Sequence, residues 1–189
     1  MILMDRHLPR PHLLIIPGLG DRAWLYRAVV PLWRYLEYDV SLHAFDWNGR
    51  QEDLADRQKR LIKHVDSLAS ERLFVIGASA GGVAAVNLLA ERPHLQRVVT
   101  VASPLTPRNI SLNALFLAAL NQAGEFLDGS NDLTRRKVVS IHGRRDSRVP
   151  VELSRCSGIH DVELPTYGHG PTISSALTVR SAVLRRFLI

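Results

Sequence analysis

The stretch Phe74-Val75-Ile76-Gly77-Ala78-Ser79-Ala80-Gly81-Gly82 constrains this chain more than any other. A β-branched run leads into the corner, and the apolar run Val83 to Leu89 leads out of it. No loop separates the two, so a strand must turn directly into a helix. One serine stands at the corner, in the spacing Gly77-x-Ser79-x-Gly81. That is the spacing of a nucleophile elbow, where a tight, strained turn lifts the hydroxyl above a sheet. Bulk two residues before or after the serine would strike neighbouring backbone, and both positions are Gly. The helix that follows presents free N–H groups beside Ser79, which favours developing negative charge there. The plain alternative is a small-residue turn that serves only close helix–strand packing.

The rest of the chain alternates in the same way. A small edge strand is expected at Ile2 to Met4. Leu13 to Ile16 reads as a buried strand ending in the glycine loop Pro17-Gly18-Leu19-Gly20-Asp21. Ala23 to Leu36 reads as a helix with Trp24, Val29, Leu32, Trp33 and Leu36 available for its inner face, and Pro31 kinks or breaks it. Tyr38 to Phe45 is the second strand, ending at Asp46-Trp47-Asn48-Gly49, and Glu52 to Ser70 is an amphipathic helix. The third strand spans Leu73 to Ile76. The helix Ala80 to Arg92 is apolar nearly all round, which marks it as central. Arg97 to Ala102, Val138 to Ile141 and Val162 to Leu164 are the remaining strands. Helices are expected over Ile110 to Leu127, Pro150 to Cys156 and Thr172 to Ile189, with a polar turn over Asp128 to Thr134. Six short apolar strands alternating with helices predict an α/β fold: an open, mostly parallel six-stranded sheet with helices on both faces, in three layers. No repeat, linker or low-complexity tract divides the chain, so residues 1–189 read as a single domain.

A serine hydroxyl needs a base to take its proton and a third group to orient that base. Sheets of this kind hold such groups at the carboxyl ends of strands. Asp146 lies three residues past Gly143, after the fifth strand, and His169 lies in Tyr167-Gly168-His169-Gly170, after the sixth. The bland readings are a capping or surface aspartate and a satisfied loop histidine. Asp46, after the second strand, is the reserve acid, and Asp128 and Asp132 are weaker alternatives. His142 reads as a core or strand-cap histidine and His160 as solvent-facing. His12, His43, His64 and His94 have no carboxylate or cysteine partner at ligand spacing, so no metal site is expected. Asp21 and Trp24 either line a pocket beside the glycine loop or serve as a helix cap and a core aromatic.

With Gly77-x-Ser79-x-Gly81-Gly82, Gly143-x-x-Asp146-x-x-Val149-Pro150, Gly168-His169 and Pro17-Gly18-Leu19-Gly20, the chain resembles the α/β-hydrolase superfamily over about residues 13–189, in a small form without a full lid domain. The resemblance implies Ser79 as nucleophile, Asp146 as orienting acid and His169 as base, in the order Ser, Asp, His. It implies an oxyanion hole from the backbone N–H groups of Leu19 and Ala80. Pro17-Gly18 stands where many members carry His-Gly, a change that keeps the backbone donors. The implied activity is a serine hydrolase, esterase-like, cleaving a small ester, thioester or amide through an acyl-enzyme, with no cofactor and no metal. The alternatives are acyl transfer or other triad chemistry on the same fold, and a non-catalytic binding protein on a hydrolase scaffold. A dinucleotide-binding site is disfavoured, because neither glycine cluster has the G-x-G-x-x-G spacing.

Charge and cysteine content bear on partners. The formal net charge is +6, carried by dispersed arginines with no aromatic-rich basic stretch, so a small-molecule substrate is expected rather than nucleic acid. Arg144, Arg145 and Arg148 flank Asp146; they are a solvated surface or they steer anionic substrates. Cys156 is the only cysteine, which fits a cytoplasmic location. No signal peptide and no membrane span are read in the sequence. Ser103 to Lys137 has room for a crossover helix but for no separate lid, so an open site favouring short acyl groups is expected.

Overall fold

Leu13 to Ile16, Leu73 to Ala78 and Val98 to Val101 are buried without a break, so each strand needs cover above and below. The computed structural model describes residues 9–49, 51–107 and 113–188. Among these, β1 (His12–Ile16), β2 (Asp39–Leu42), β3 (Leu73–Ala78), β4 (Arg97–Val101), β5 (Val138–Arg145) and β6 (His160–Tyr167) form one sheet. All pairings are parallel, and the order is β2-β1-β3-β4-β5-β6.

Alternate residues of each strand feed two cores. Leu14, Ile16 and Val75 face α3 (Leu54–Asp66), α4 (Ala80–Glu91) and α5 (Ala114–Gly129). Leu13, Ile15 and Ile76 face α2 (Val30–Tyr35), α8 (His169–Leu177) and α9 (Ser181–Arg185). The buried aromatics of this second core keep their polar atoms satisfied. Trp33 donates its Nε1–H to the Leu177 carbonyl at 3.1 Å, and the Tyr38 hydroxyl donates to the Leu188 carbonyl at 2.9 Å. From β1 the chain runs outward to β2, then returns to place β3 on the other side of β1. The loops leaving β1 and β3 therefore part, and a crevice opens between them at the carboxyl ends of the strands.

Several boundaries differ from the sequence expectation. The helix expected over 23–36 breaks, as Pro31 implied, into α1 (Ala23–Arg27) and α2, which carries Pro31 in its first turn. Proline fits there because its missing N–H would have no helical partner anyway. Trp24 is 67% exposed and does not reach the core. The expected final helix is also two, and α8 starts at His169 rather than Thr172. The break falls at Thr178 and Val179, a β-branched pair, where the Thr178 hydroxyl bonds back to the Ser174 carbonyl. Within the expected polar turn, Asn131 caps a short helix, α6 (Asp132–Arg135). A further short helix, α7 (Val151–Ser154), lies inside the expected span. The expected strand at Ile2 to Met4 and the first residues of the expected 110–127 helix lie outside the described residues.

Candidate active site

Ser79 has φ +54° and ψ −124°, a conformation that costs a non-glycine residue about 1–3 kcal/mol. Its surroundings enforce it. The Ser79 N–H donates to the Val101 carbonyl at 2.8 Å, fixing the corner to β4. A Cβ on Gly77 would run into the backbone of Gly81 and Gly82, and one on Gly81 would run into the carbonyls of Ile16 and Pro17. A Cβ on Gly18 would come within 2.9 Å of the Ser79 Cβ, so the loop after β1 lies directly against the serine.

The ends of β5 and β6 bring in the other two residues. Asp146 follows β5, and its side chain is 1% exposed. One carboxylate oxygen, Oδ1, accepts the backbone N–H groups of Arg148 at 2.9 Å and Val149 at 3.0 Å. The other, Oδ2, is 2.7 Å from His169 Nδ1. Burial alone would raise the pKa of this carboxyl, but the His169 hydrogen bond and the two N–H groups outweigh it and hold the pKa below its usual value. An ionised carboxylate only accepts, so His169 donates from Nδ1 and leaves Nε2 as the acceptor. Nε2 lies 2.9 Å from Ser79 Oγ, the geometry in which the hydroxyl donates to the ring. Ser79, Asp146 and His169 thus form one hydrogen-bonded line from three strand ends.

Leu19 and Ala80 line the same cavity as Ser79, and the backbone N–H of neither donates a hydrogen bond to another described residue. The loop carrying Leu19 is braced from the side of β2. Asn48 donates its Nδ2–H to the Leu19 carbonyl at 2.6 Å, and Asp21 Oδ2 accepts the Trp47 N–H at 2.6 Å. Arg57, wholly buried on α3, secures the bracing loop: it donates to the carbonyls of Gly49 and Glu52 and pairs with Asp46 at 3.3 Å. Asp46 is therefore committed to Arg57 and is not the partner of His169. Asp128 and Asp132 lie on the segment that leads into the amino end of β5, away from the strand ends that carry Ser79 and His169.

Ser79, Ala80 and His169 open into a cavity of about 580 Å³. Leu25, Tyr26, Phe116 and Ile173 supply much of its apolar wall, and Asp21, Arg22 and Arg148 supply charge. Of the pair weighed beside the glycine loop, Asp21 lines the cavity and Trp24 does not. Burial pushes the Asp21 carboxyl pKa up, against the opposing pull of the Trp47 N–H. Asn48, Arg22 and the apolar wall went unnoticed in the sequence, and only the position of Asn48 in a turn after a strand pointed toward it. His142 is buried and bonded to Asp161 at 3.1 Å, away from the serine. His12 and His64 both approach the Ser41 hydroxyl, and among the described residues no group of three His, Cys, Asp or Glu could hold a metal ion.

A profile of the Alpha/beta hydrolase family matches residues 13–155, a span that carries Leu19, Ser79 and Asp146. The chain belongs to the α/β hydrolase family. No curated protein sequence matches this α/β hydrolase. Its fold recurs in solved structures of low identity. One is the esterase domain of a Rhodothermus marinus protein, 16% identical, with a TM-score of 0.67, covering 98% of this chain and 90% of that one. Another is a monoacylglycerol lipase from Paleococcus ferrophilus, 14% identical, with a TM-score of 0.67 and 96% of each chain covered. A third is a meta-cleavage product hydrolase from Pseudomonas fluorescens IP01, 14% identical, with a TM-score of 0.63, covering 94% of this chain and 89% of that one. These likenesses establish a shared fold, which hosts more than one chemistry.

Proposed function

We propose that this α/β hydrolase is a serine hydrolase that cleaves a small carboxylic ester through an acyl-enzyme, with thioesters and amides as chemically related substrates. The observation that carries the reading is the continuous line Asp146 Oδ2, His169 Nδ1, His169 Nε2, Ser79 Oγ, at 2.7 and 2.9 Å, opening on a cavity. In the reaction Ser79 Oγ attacks the acyl carbon as its proton passes to His169 Nε2. The imidazolium is stabilised by the Asp146 carboxylate. The carbonyl oxygen becomes an oxyanion held by the N–H groups of Leu19 and Ala80, with the start of α4 adding favourable dipole. His169 then protonates the leaving alkoxide, and the C–O bond breaks. Water then enters and its oxygen attacks the acyl carbon as one proton passes to the same nitrogen. The acyl C–Oγ bond breaks, His169 returns that proton to Ser79 Oγ, and the acid is released.

Every group in this scheme comes from the chain, so the proposed reaction needs no cofactor or metal. We take the chain as one domain acting on small molecules in a reducing, cytoplasmic setting, which its single cysteine fits. No helix among the described residues is long and apolar enough to cross a membrane. The α5 helix packs on α4 and α3, burying Phe116, Ala119, Leu120, Ala123 and Leu127, and Phe116 lines the cavity. It serves as the crossover from β4 to β5, which supports an open site suited to short acyl groups. The test is turnover of p-nitrophenyl butyrate by Ser79→Ala. The variant should fold normally and lose at least ~10³-fold in kcat. Wild-type turnover in the variant would refute the assignment.

A further inference from the structure

We propose, resting on the hydrolase reading, that the preferred substrates are esters bearing a fixed negative charge, a carboxylate or phosphate, gripped by Arg22 and Arg148 at the mouth of the cavity. Both arginines line the cavity that contains Ser79 and His169. No acidic side chain among the described residues pairs with either guanidinium. The neighbouring Arg144, which the sequence also placed beside Asp146, is different: it pairs with Glu163 at 3.1 Å and does not line the cavity.

The two arginines are attached to the backbone segments that hold the reacting groups. The Arg22 side chain folds over Gly20, its Cγ 3.4 Å from where a Gly20 Cβ would stand, one residue beyond Leu19. Arg148 gives its own backbone N–H to Asp146 Oδ1. One cation is therefore carried by the glycine loop and the other by the turn that holds Asp146, and both line the cavity that contains Ser79.

The negative groups facing the same space are weak competitors. Asp21 turns Oδ2 toward the Trp47 N–H at 2.6 Å, and its burial favours the neutral form. The Asp146 charge is taken up by His169 and two backbone N–H groups. Arg22 and Arg148 are the exposed charges on this lining, and the apolar wall of Leu25, Phe116 and Ile173 lowers the local dielectric and strengthens any pairing made there. Planar guanidinium groups also match carboxylate and phosphate oxygens in a two-point contact.

The experiment compares matched esters at low and high salt. In the acyl arm, mono-p-nitrophenyl adipate is set against p-nitrophenyl hexanoate. In the leaving-group arm, 3-carboxy-4-nitrophenyl acetate is set against p-nitrophenyl acetate. The wild-type enzyme should favour the anionic ester in one arm by about tenfold or more in kcat/KM. That arm tells which side of the ester carries the charge. The preference should shrink in ~0.5 M salt and fall close to one in the double variant Arg22→Gln/Arg148→Gln. A ratio of one or below in both arms, or a ratio that survives in the double variant, overturns the proposal. Turnover of the neutral esters without a charge preference would sink this inference alone. Failure to hydrolyse any of the four, with Ser79 inert to acylating probes, would sink the hydrolase reading and this inference together.

Discussion

Asp146 and Asp46 both follow strands, and their surroundings give them opposite duties. Asp146 is enclosed, hydrogen-bonded to His169 and to two backbone N–H groups, whereas the side chain of Asp46 is 50% exposed and pairs with Arg57. In Asp146→Asn the amide nitrogen would donate toward His169 Nδ1. The ring would then carry its proton on Nε2, where it cannot accept from Ser79. The variant should lose roughly 10³–10⁴-fold in kcat. Asp46→Asn should lose less than about tenfold, since asparagine tolerates the positive φ of that position. Assays of both variants on p-nitrophenyl butyrate check the ranking, and the reverse order would move the acid to Asp46. Ser79, Asp146 and His169 were legible because a reactive residue type at the end of an apolar strand needs few neighbours to be read. Arg22 was not, since nothing in Asp21-Arg22-Ala23 separates a cavity arginine from a solvated one. Trp24 misled for a related reason: an aromatic at helical spacing implies an inner face only if the helix continues, and α1 ends at Arg27.

Among the elements, the loop after β2 does more than connect. Through Asn48 it holds the Leu19 carbonyl, and through the Trp47 N–H it holds Asp21, so two points of the glycine loop are tied down beside Ser79. Arg57 in turn anchors that loop to α3. Loosening Leu19 would displace the proposed oxyanion donor without touching bound substrate, and a lost donor costs far more in the transition state than in the ground state. Asn48→Ala should therefore lower kcat about tenfold and leave KM within about twofold. Steady-state kinetics on p-nitrophenyl butyrate provide the check, and a change confined to KM would contradict the bracing role. The strands were legible where both faces are buried. β6 was read short, as Val162 to Leu164, because it lies at the sheet edge and most of its side chains face solvent. The helix break near Pro31 was legible in the proline itself, whereas the one at Thr178 depends on which carbonyl accepts which bond, and apolar periodicity does not carry that information.

At the scale of the whole molecule, three histidines scattered in sequence meet at the β2 edge of the sheet. The rings of His43 and His64 lie with centroids 5.2 Å apart, tilted by 48°, and His12 shares Ser41 with His64. Burial, then the nearness of His64 and Arg60, pushes the His43 pKa down to about 4, and its Nε2 has no hydrogen-bond partner. His12 and His64 are lowered as well, mainly by burial. A histidine with a depressed folded pKa binds fewer protons folded than unfolded between about pH 4 and its unfolded value near 6.5. Stability then rises with pH across that window and is lost as pH falls through it. Unfolding in urea should show about 1–2 kcal/mol less stability at pH 5 than at pH 7 from His43 alone, and His43→Leu should flatten the slope. A pH-independent midpoint would contradict the buried, neutral assignment.

A fluorophosphonate probe, which phosphonylates only an activated serine, reads whether Ser79 is the nucleophile. The folded protein is incubated with the probe, digested, and the adduct located by mass spectrometry. A single adduct on Ser79 is expected, suppressed in Asp146→Asn and absent in Ser79→Ala. An unlabelled Ser79 in folded wild-type protein, or an adduct on another serine that persists in Ser79→Ala, would contradict it.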